Sequence, residues 1–519
     1  MLPEVLYGSL KILLAFVISL VIYLAYLIVI RPLMFRRKFR KYSNVHVSEK
    51  FNPLVGDLNH EMRCFEEGKV HYAHYVERAK IITKYDLYAK VEGIEPYIVI
   101  ISDKACKELA NLMPRSVDRI NAEKGINALI AHSMVVFRST KETLQRRKNF
   151  SSLLGLSSAS KHIPRTLECC QEAVDEMVKE PSCDFIHHLS EINFNAFTNV
   201  LLGKHADDIV TKLHPYENPD GKMEDVTLRD FLIRITNKYA EQLYNPITFI
   251  FPFFAKRKLI SPYDRDDRNL QVFRKILRGI ITSVKDEDTI GKKIYTAPGL
   301  TEDQGLDDLF MAMAGNTETT SRAIVSCLYY LKKNIHTLEK LREELTNSGF
   351  TKDCDYLKQY TVDNFQNCPY LNCVIREGMR IDTVVSGSGE YGAYEDIELC
   401  GVPIPKGTKI KLDLISAHYA EDKWLRPLEF VPERHDLDSD FYKKSREEGI
   451  AEDAYTRRSF SHGMRKCPGQ SFAVMQMKVM VTYLVTHIEY SFTQEDLNKE
   501  GVGFGLGSQF SPLVSVSKA

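Results

Sequence analysis

Ten residues near the C-terminus, Phe460 to Gly469, read Phe-Ser-His-Gly-Met-Arg-Lys-Cys-Pro-Gly. Cys467 has Gly463 four residues before it, Arg465 two before it and Pro468-Gly469 directly after. Apolar helical sequence begins at Ser471-Phe472-Ala473. A thiolate at a helix N-terminus is stabilised by free backbone N–H groups and by the positive end of the helix dipole. Such a loop would present one sulfur anion to a metal. Gly463 and Gly469 permit tight turns and close backbone approach to a flat ligand. Arg465 can hold a carboxylate in a fork. A flat ligand that carries both a metal and carboxylates is a haem, bound through an axial thiolate with a propionate on Arg465. The fixed neighbours set Cys467 apart from a lone buried cysteine in a turn.

A second set of reactive side chains lies in Leu306–Lys332, which reads as one long helix with Leu309, Met313, Ala314, Ile324, Leu328 and Leu331 among its apolar positions. Its middle is Asn316-Thr317-Glu318-Thr319-Thr320-Ser321. Six polar residues in a row cover every face of a helix, so a simple solvent-exposed stripe does not explain them. Thr and Ser also compete for helix carbonyls and bend helices. Gly315 permits close approach or a local opening. Local rules broken in this way tend to mark functional sites.

A third group has charges in helical register. Glu377 and Arg380 stand at i, i+3 on an apolar helix from Tyr370 onward and share a face. Phe430-Val431-Pro432-Glu433-Arg434 follows before the cysteine loop. A lone Glu-x-x-Arg is common and carries nothing by itself.

In this order the motifs resemble those of the cytochrome P-450 superfamily, over roughly residues 40–519. Phe-x-x-Gly-x-Arg-x-Cys-x-Gly matches its cysteine loop from Phe460 to Gly469. The resemblance implies a mainly α fold with a small β region and haem b (iron protoporphyrin IX) ligated by Cys467. Matched on Glu318-Thr319-Thr320, Thr319 is the alcohol that steadies dioxygen and Glu318 the carboxylate that relays protons. Asn316 stands where the family most often has a second glycine. Glu377, Arg380 and Arg434 would form a buried charge network bracing the cysteine loop. The small β region would include two short strands within Ile397–Ile410.

Two departures stand out. The family usually carries a Trp in the helix that holds Arg146-Arg147-Lys148, with a basic residue four positions on. Here the positions are Thr143 and Leu144, which leaves Arg147 and Lys148 as alternatives for that basic residue. The cluster otherwise reads as a solvated face or as a docking point for an acidic redox partner. The family's proline-rich stretch is here Ile381-Asp382-Thr383-Val384-Val385. Where a basic residue often follows and contacts a propionate, this chain has Ser386-Gly387-Ser388-Gly389-Glu390.

The 519 residues hold 44% hydrophobic side chains, ample for a large core, and equal numbers of basic and acidic residues, 69 each. No global charge points to nucleic acid. Eleven scattered cysteines without Cys-x-x-Cys pairs indicate a reducing compartment. Ile12 to Ile30 is an apolar run of about 19 residues, enough to cross a bilayer. It is followed by Arg31-Pro32, Arg36, Arg37, Lys38, Arg40 and Lys41, which places the C-terminal side in the cytosol. The rival is a cleaved signal peptide, whose apolar core is shorter and preceded by its basic residues. The expectation is an anchor and basic stop over 1–41 and one catalytic domain over 42–519. With the resemblance it becomes a single-pass endoplasmic reticulum protein with a cytosolic catalytic domain.

Phe249 to Phe254 is an aromatic patch before Lys256-Arg257-Lys258, either ordinary core or a roof over a substrate channel touching lipid. Strand-like runs at Leu87–Val91 and Tyr97–Ile101, and an N-cap at Ser102 for a helix to Leu112, complete the lead-in. The resemblance implies a monooxygenase taking electrons from an NADPH-dependent flavoprotein reductase, with a cytochrome b-type protein as a second donor, and acting on a small hydrophobic substrate. The alternatives are a haem-thiolate isomerase or dehydratase that rearranges peroxides without electrons, and a non-catalytic haem or lipid-binding protein.

Overall fold

The computed structural model describes residues 2–68, 73–120, 126–203, 206–242, 245–286, 288–493, 495, 497 and 511–519. The helices that matter for the site are, in chain order, α1 (Leu2–Ala25), α2 (Arg31–Phe39), α3 (Asp103–Leu112), α4 (Lys141–Leu153), α5 (Ile163–Met177), α6 (Phe185–Leu202), α7 (Glu302–Lys333), α8 (Pro369–Ile381) and α9 (Gln470–His487). The strands that matter for it are β1 (Val45–His46), β2 (Leu87–Glu92), β3 (Glu95–Ile100), β4 (Val117–Arg119), β5 (Cys183–Asp184), β6 (Tyr391–Ala393), β7 (Lys409–Leu412), β8 (Ile488–Phe492) and β9 (Leu513–Lys518).

α7 is the spine. Thr301 caps it through the backbone N–H of Gln304, and the Gln304 side chain accepts the N–H of Thr301, a reciprocal cap. Glu302 and Asp303 in its first turn and Lys332 and Lys333 in its last complement the helix dipole. Leu309, Phe310, Met313, Ile324 and Leu328 are buried in the largest core cluster. α6, α8 and α9 pack around it. Apolar burial at about 25 cal/mol per Å² dominates the stability of such a layer.

A six-stranded sheet in the order β1-β2-β3-β7-β6-β4 lies beside this helical body. β2 and β3 form an antiparallel hairpin, β7 joins β3 in parallel, and β6 pairs antiparallel with both β7 and β4. Residues near 90 and near 410 are thereby knitted together. Ser102 caps α3, its hydroxyl accepting the N–H of Ala105 at 3.1 Å. The short hairpin Ile397–Leu399 with Val402–Ile404 stands apart from this sheet.

The N-terminal helix continues past Arg31-Pro32, where the apolar run ends. α1 passes through a π-helical turn at Tyr26–Ile30 into α2, with Pro32 in the first turn of α2. A widened turn accommodates a proline that cannot donate to the helix ladder. Ile12, Phe16 and Ile22 are exposed, whereas Pro32, Arg36 and Phe39 are buried. Phe39 joins the cluster under the sheet, and Arg36 pairs with Asp57 at 3.3 Å. The basic segment therefore docks on the catalytic body. Among the described residues, one helix, within Lys11–Phe39, is long and apolar enough to cross a membrane.

Candidate active site

The cysteine loop is closed by backbone hydrogen bonds from the Cys467 N–H to the Phe460 carbonyl (2.9 Å) and from the Lys466 N–H to the Gly463 carbonyl (3.2 Å). Gly463 sits at φ +64°, in the left-handed region where a side chain is strained. Gly469 has an ordinary φ of −93° and caps α9, which starts at Gln470, one residue before the expected Ser471. A Cβ at Gly469 would come no nearer than 4.0 Å to Leu154. Its smallness therefore leaves room rather than relieving strain. Cys467 and Phe460 are half-buried. Burial pushes the Cys467 thiol up, opposed by the Gly469 N–H and by the charge of Arg147.

Arg465 is buried and committed to the protein on one side. Its Nη1 donates to the Met134 carbonyl at 3.1 Å, and its Nη2 donates to the Phe137 carbonyl and to Asp118 at 3.4 Å. Its Nε has no partner. Asp118 is held in turn by the Ser139 hydroxyl at 2.9 Å and the Arg119 N–H at 2.8 Å. Arg147, buried on α4, donates to the Lys466 carbonyl at 2.9 Å, while Lys148 is exposed. Of the two alternatives, Arg147 is the one that reaches the cysteine loop. Arg146 turns the other way, to Asp308 of α7 and the carbonyls of His132 and Gln304.

A third arginine joins these two. Antiparallel pairing sets Arg119 on β4 opposite Tyr391 on β6, and its guanidinium lies 4.4 Å from the Tyr391 ring centroid. A Cβ at Gly389 would lie 2.2 Å from Arg119 Nη1, so the glycine makes room for the guanidinium. Arg119 Nε and Nη1 are buried without partners. Burial first, then the charges of Arg465 and Arg119, lower the pKa of Arg147 to about 10. Burial and then Arg119 also lower that of Arg465, with Asp118 opposing. Three crowded guanidiniums, with unmet donors on Arg119 and Arg465, form a cradle for a dianionic group, which fits the two propionates of a haem.

On α7 the polar run divides between two faces. Asn316, Thr317, Thr320 and Ser321 are buried. Asn316 donates to the Asn193 carbonyl of α6, and Ser321 accepts from the Asn193 amide at 2.7 Å. Thr317 and Ser321 also bond back to the carbonyls of Met313 and Thr317. These residues glue α7 to α6, so the asparagine at 316 is an interhelical contact. Met311, Gly315, Glu318, Thr319 and Arg322, at helical spacings of three and four, share the opposite, half-buried face. A Cβ at Gly315 would meet the Met311 methyl at 3.4 Å and nothing nearer. Thr319 donates to the Gly315 carbonyl. Burial raises the pKa of Glu318, with Arg322 opposing.

Glu377, Arg380 and Arg434 meet in the core. Glu377 Oε1 accepts from Arg380 Nη2 (2.9 Å), Arg434 Nε (2.8 Å) and the Val431 N–H (2.9 Å). Oε2 accepts from Arg380 Nε (2.8 Å) and His435 Nε2 (3.0 Å). Burial alone would push the Glu377 carboxyl up. The two arginines outweigh it and hold the group well below the usual carboxylate range. Arg380 also donates to the His418 and Pro427 carbonyls at 2.6 and 2.7 Å.

A match to the cytochrome P450 family model spans residues 84–509. The chain belongs to the cytochrome P450 family. It is 23% identical over 83% of both chains to a beta-amyrin 11-oxidase of Glycyrrhiza uralensis. It is 26% identical to the cytochrome P450 monooxygenase hkm5 of Aspergillus hancockii, over 69% of this chain and 68% of that one. The retinoic-acid-bound cyanobacterial CYP120A1 structure superposes with a TM-score of 0.65 at 16% identity, covering 85% of this chain and 94% of that one, and shows the same fold. This cytochrome P450 is an oxidoreductase of the monooxygenase class. Sequence reasoning missed Arg119, whose three-residue strand carries no motif; Gly389, which makes room for it, was the visible trace. It also missed His418 and Arg458, which stitch the cysteine loop to α8. The Arg458 N–H donates to His418 Nε2 at 2.9 Å, His418 Nδ1 donates to Thr383 at 2.8 Å, and the Ser459 hydroxyl donates to the Met379 carbonyl at 3.0 Å. All eleven cysteines are free thiols, Cys169 and Cys170 included.

Proposed function

We propose that the chain is a membrane-anchored haem-thiolate monooxygenase that inserts one oxygen atom from O2 into a hydrophobic small molecule. Its catalytic domain would span residues 42–519, with residues 1–41 as a single-pass anchor in the endoplasmic reticulum. The observation that supports this most is the cradle of Arg119, Arg147 and Arg465, with its unmet donors, beside Cys467. Cys467 would hold the iron of haem b through its sulfur. Arg465 Nε, Arg119 and Arg147 would take the propionates, while Phe460, Gly463 and Gly469 would shape the loop under the ring.

When bound, the haem supplies dioxygen activation and the oxidising equivalent. The chain supplies counter-charge, protons and a dry pocket. Glu318, with its raised pKa, holds a proton to higher pH than an exposed glutamate. Thr319 spends its hydroxyl hydrogen on Gly315, which leaves its lone pairs to accept from the next donor in the relay. A positioned acid of this kind contributes about 10²–10⁴-fold. Glu377, Arg380 and Arg434 would brace the loop rather than take part in the chemistry.

Electrons would come from an NADPH-dependent flavoprotein reductase, with a cytochrome b-type protein as a second donor. Exposed Lys148 and Lys466 on the cysteine side suit an acidic partner. Phe253, 58% exposed in the helix Pro252–Arg257, and neighbouring Leu259 at 55% suit contact with lipid near the substrate entrance. The side chain of Phe249 lies outside the described residues. Turnover should require NADPH and a reductase; turnover of a peroxide without them would favour the isomerase reading. Sterols, fatty acids, xenobiotics and β-amyrin form a first set to screen for a substrate-induced spin-state change.

A further inference from the structure

A second place where ligating side chains converge is where the end of α5, β5 and the start of α6 meet. One ligand atom each from Glu180, Cys183 and His188 lie within 4.8 Å of one another, as do those of Glu176, His188 and Glu191. His188 belongs to both sets. It is 7% exposed, its Nε2 is 3.5 Å from Glu180, and its Nδ1 has no hydrogen-bond partner. A buried imidazole nitrogen left unpaired asks for a ligand. Cys183 is buried and makes a weak contact with the Val514 carbonyl at 3.6 Å. Thiol, imidazole and carboxylate together are the donor set of zinc, and soft sulfur disfavours magnesium and calcium.

We propose that Cys183, His188 and Glu180 bind a divalent ion of the zinc class, with water as the fourth ligand. Tetrahedral zinc holds such atoms about 3.3–3.8 Å apart, so closure needs side-chain movements of about 1 Å. The role is structural. β5 pairs with β9, Val514 facing Cys183 and Leu513 facing Asp184. The ion would tie the α5–α6 connection to the C-terminal strand. It does not depend on the proposed oxidation chemistry.

The test uses the full haem-loaded protein, stripped with a chelator, equilibrated with Zn2+ and desalted. Zinc and iron are then counted by mass spectrometry. About one tightly held zinc per chain is expected in the wild type, and none in Cys183→Ser or His188→Gln. Glu180→Gln, at a half-exposed position where folding is not at stake, should weaken zinc binding by about 10-fold or more with haem content unchanged. A wild type that holds no zinc, or holds it no more tightly than Glu180→Gln and His188→Gln, overturns the proposal. So does equal retention of Mg2+.

Discussion

At the scale of single residues, candidates for chemistry were legible where they depend on side-chain type and close spacing. Cys467 and the Glu318–Thr319 pair announced themselves because a thiol among glycines, and polar residues inside an apolar helix, break local rules. Arg119 did not, because its position depends on pairing across some 270 residues of chain. Thr319→Ala should leave dioxygen consumption intact while product per dioxygen falls by about 10²-fold and peroxide is released; a parallel oxygen-electrode and peroxide assay would read this, and unchanged coupling would refute the relay. Arg119→Ala should speed haem loss about 10–100-fold, as expected for a charged hydrogen bond worth about 1.5–3 kcal/mol. Transfer of haem to an acceptor apoprotein measures that rate. An unaltered rate would remove Arg119 from the cradle.

At the scale of elements, the Glu-x-x-Arg helix was readable as a candidate because i, i+3 spacing puts Glu377 and Arg380 on one face. Its reach was not. Arg380 holds the His418 carbonyl, His418 holds the Arg458 backbone, and Arg458 pairs with Asp103 at the start of α3. Glu377→Ala strands two buried guanidiniums and should cost about 3–5 kcal/mol in denaturant unfolding, with loss of haem. His418 adds a pH dependence. Burial first, then Arg380 and Arg458, hold its pKa well below 6.5. The unfolded chain binds a proton near pH 6.5 that the folded chain refuses. Stability should therefore fall as the pH drops below about 6.5, by at most about 1.4 kcal/mol per pH unit for this group. Buried His435, whose pKa is also lowered by burial, adds in the same direction. Denaturant titrations at pH 7.5 and 5.5 test this, and His418→Asn should flatten the slope.

At the scale of the whole molecule, the order of motifs made the family and its mainly helical fold legible. The sheet that inserts β7 between β3 and β6 was not, since no local pattern encodes such distant partners. The anchor shows the same division. Its length and charge asymmetry were plain, but the docking of Arg36 and Phe39 on the body was not. Removing residues 1–30 should leave a folded protein with weaker membrane association in flotation assays. Removing residues 1–41 should cost about a further 2–3 kcal/mol, because Phe39 leaves its buried site.

The sulfur–iron bond proposed for Cys467 is tested most directly by the optical spectrum of the reduced protein under carbon monoxide. The wild type should show the strongly red-shifted Soret band of thiolate ligation, and Cys467→His should lose that band while retaining haem. A wild type without the red-shifted band, or a Cys467→His variant that keeps it, would contradict the assignment.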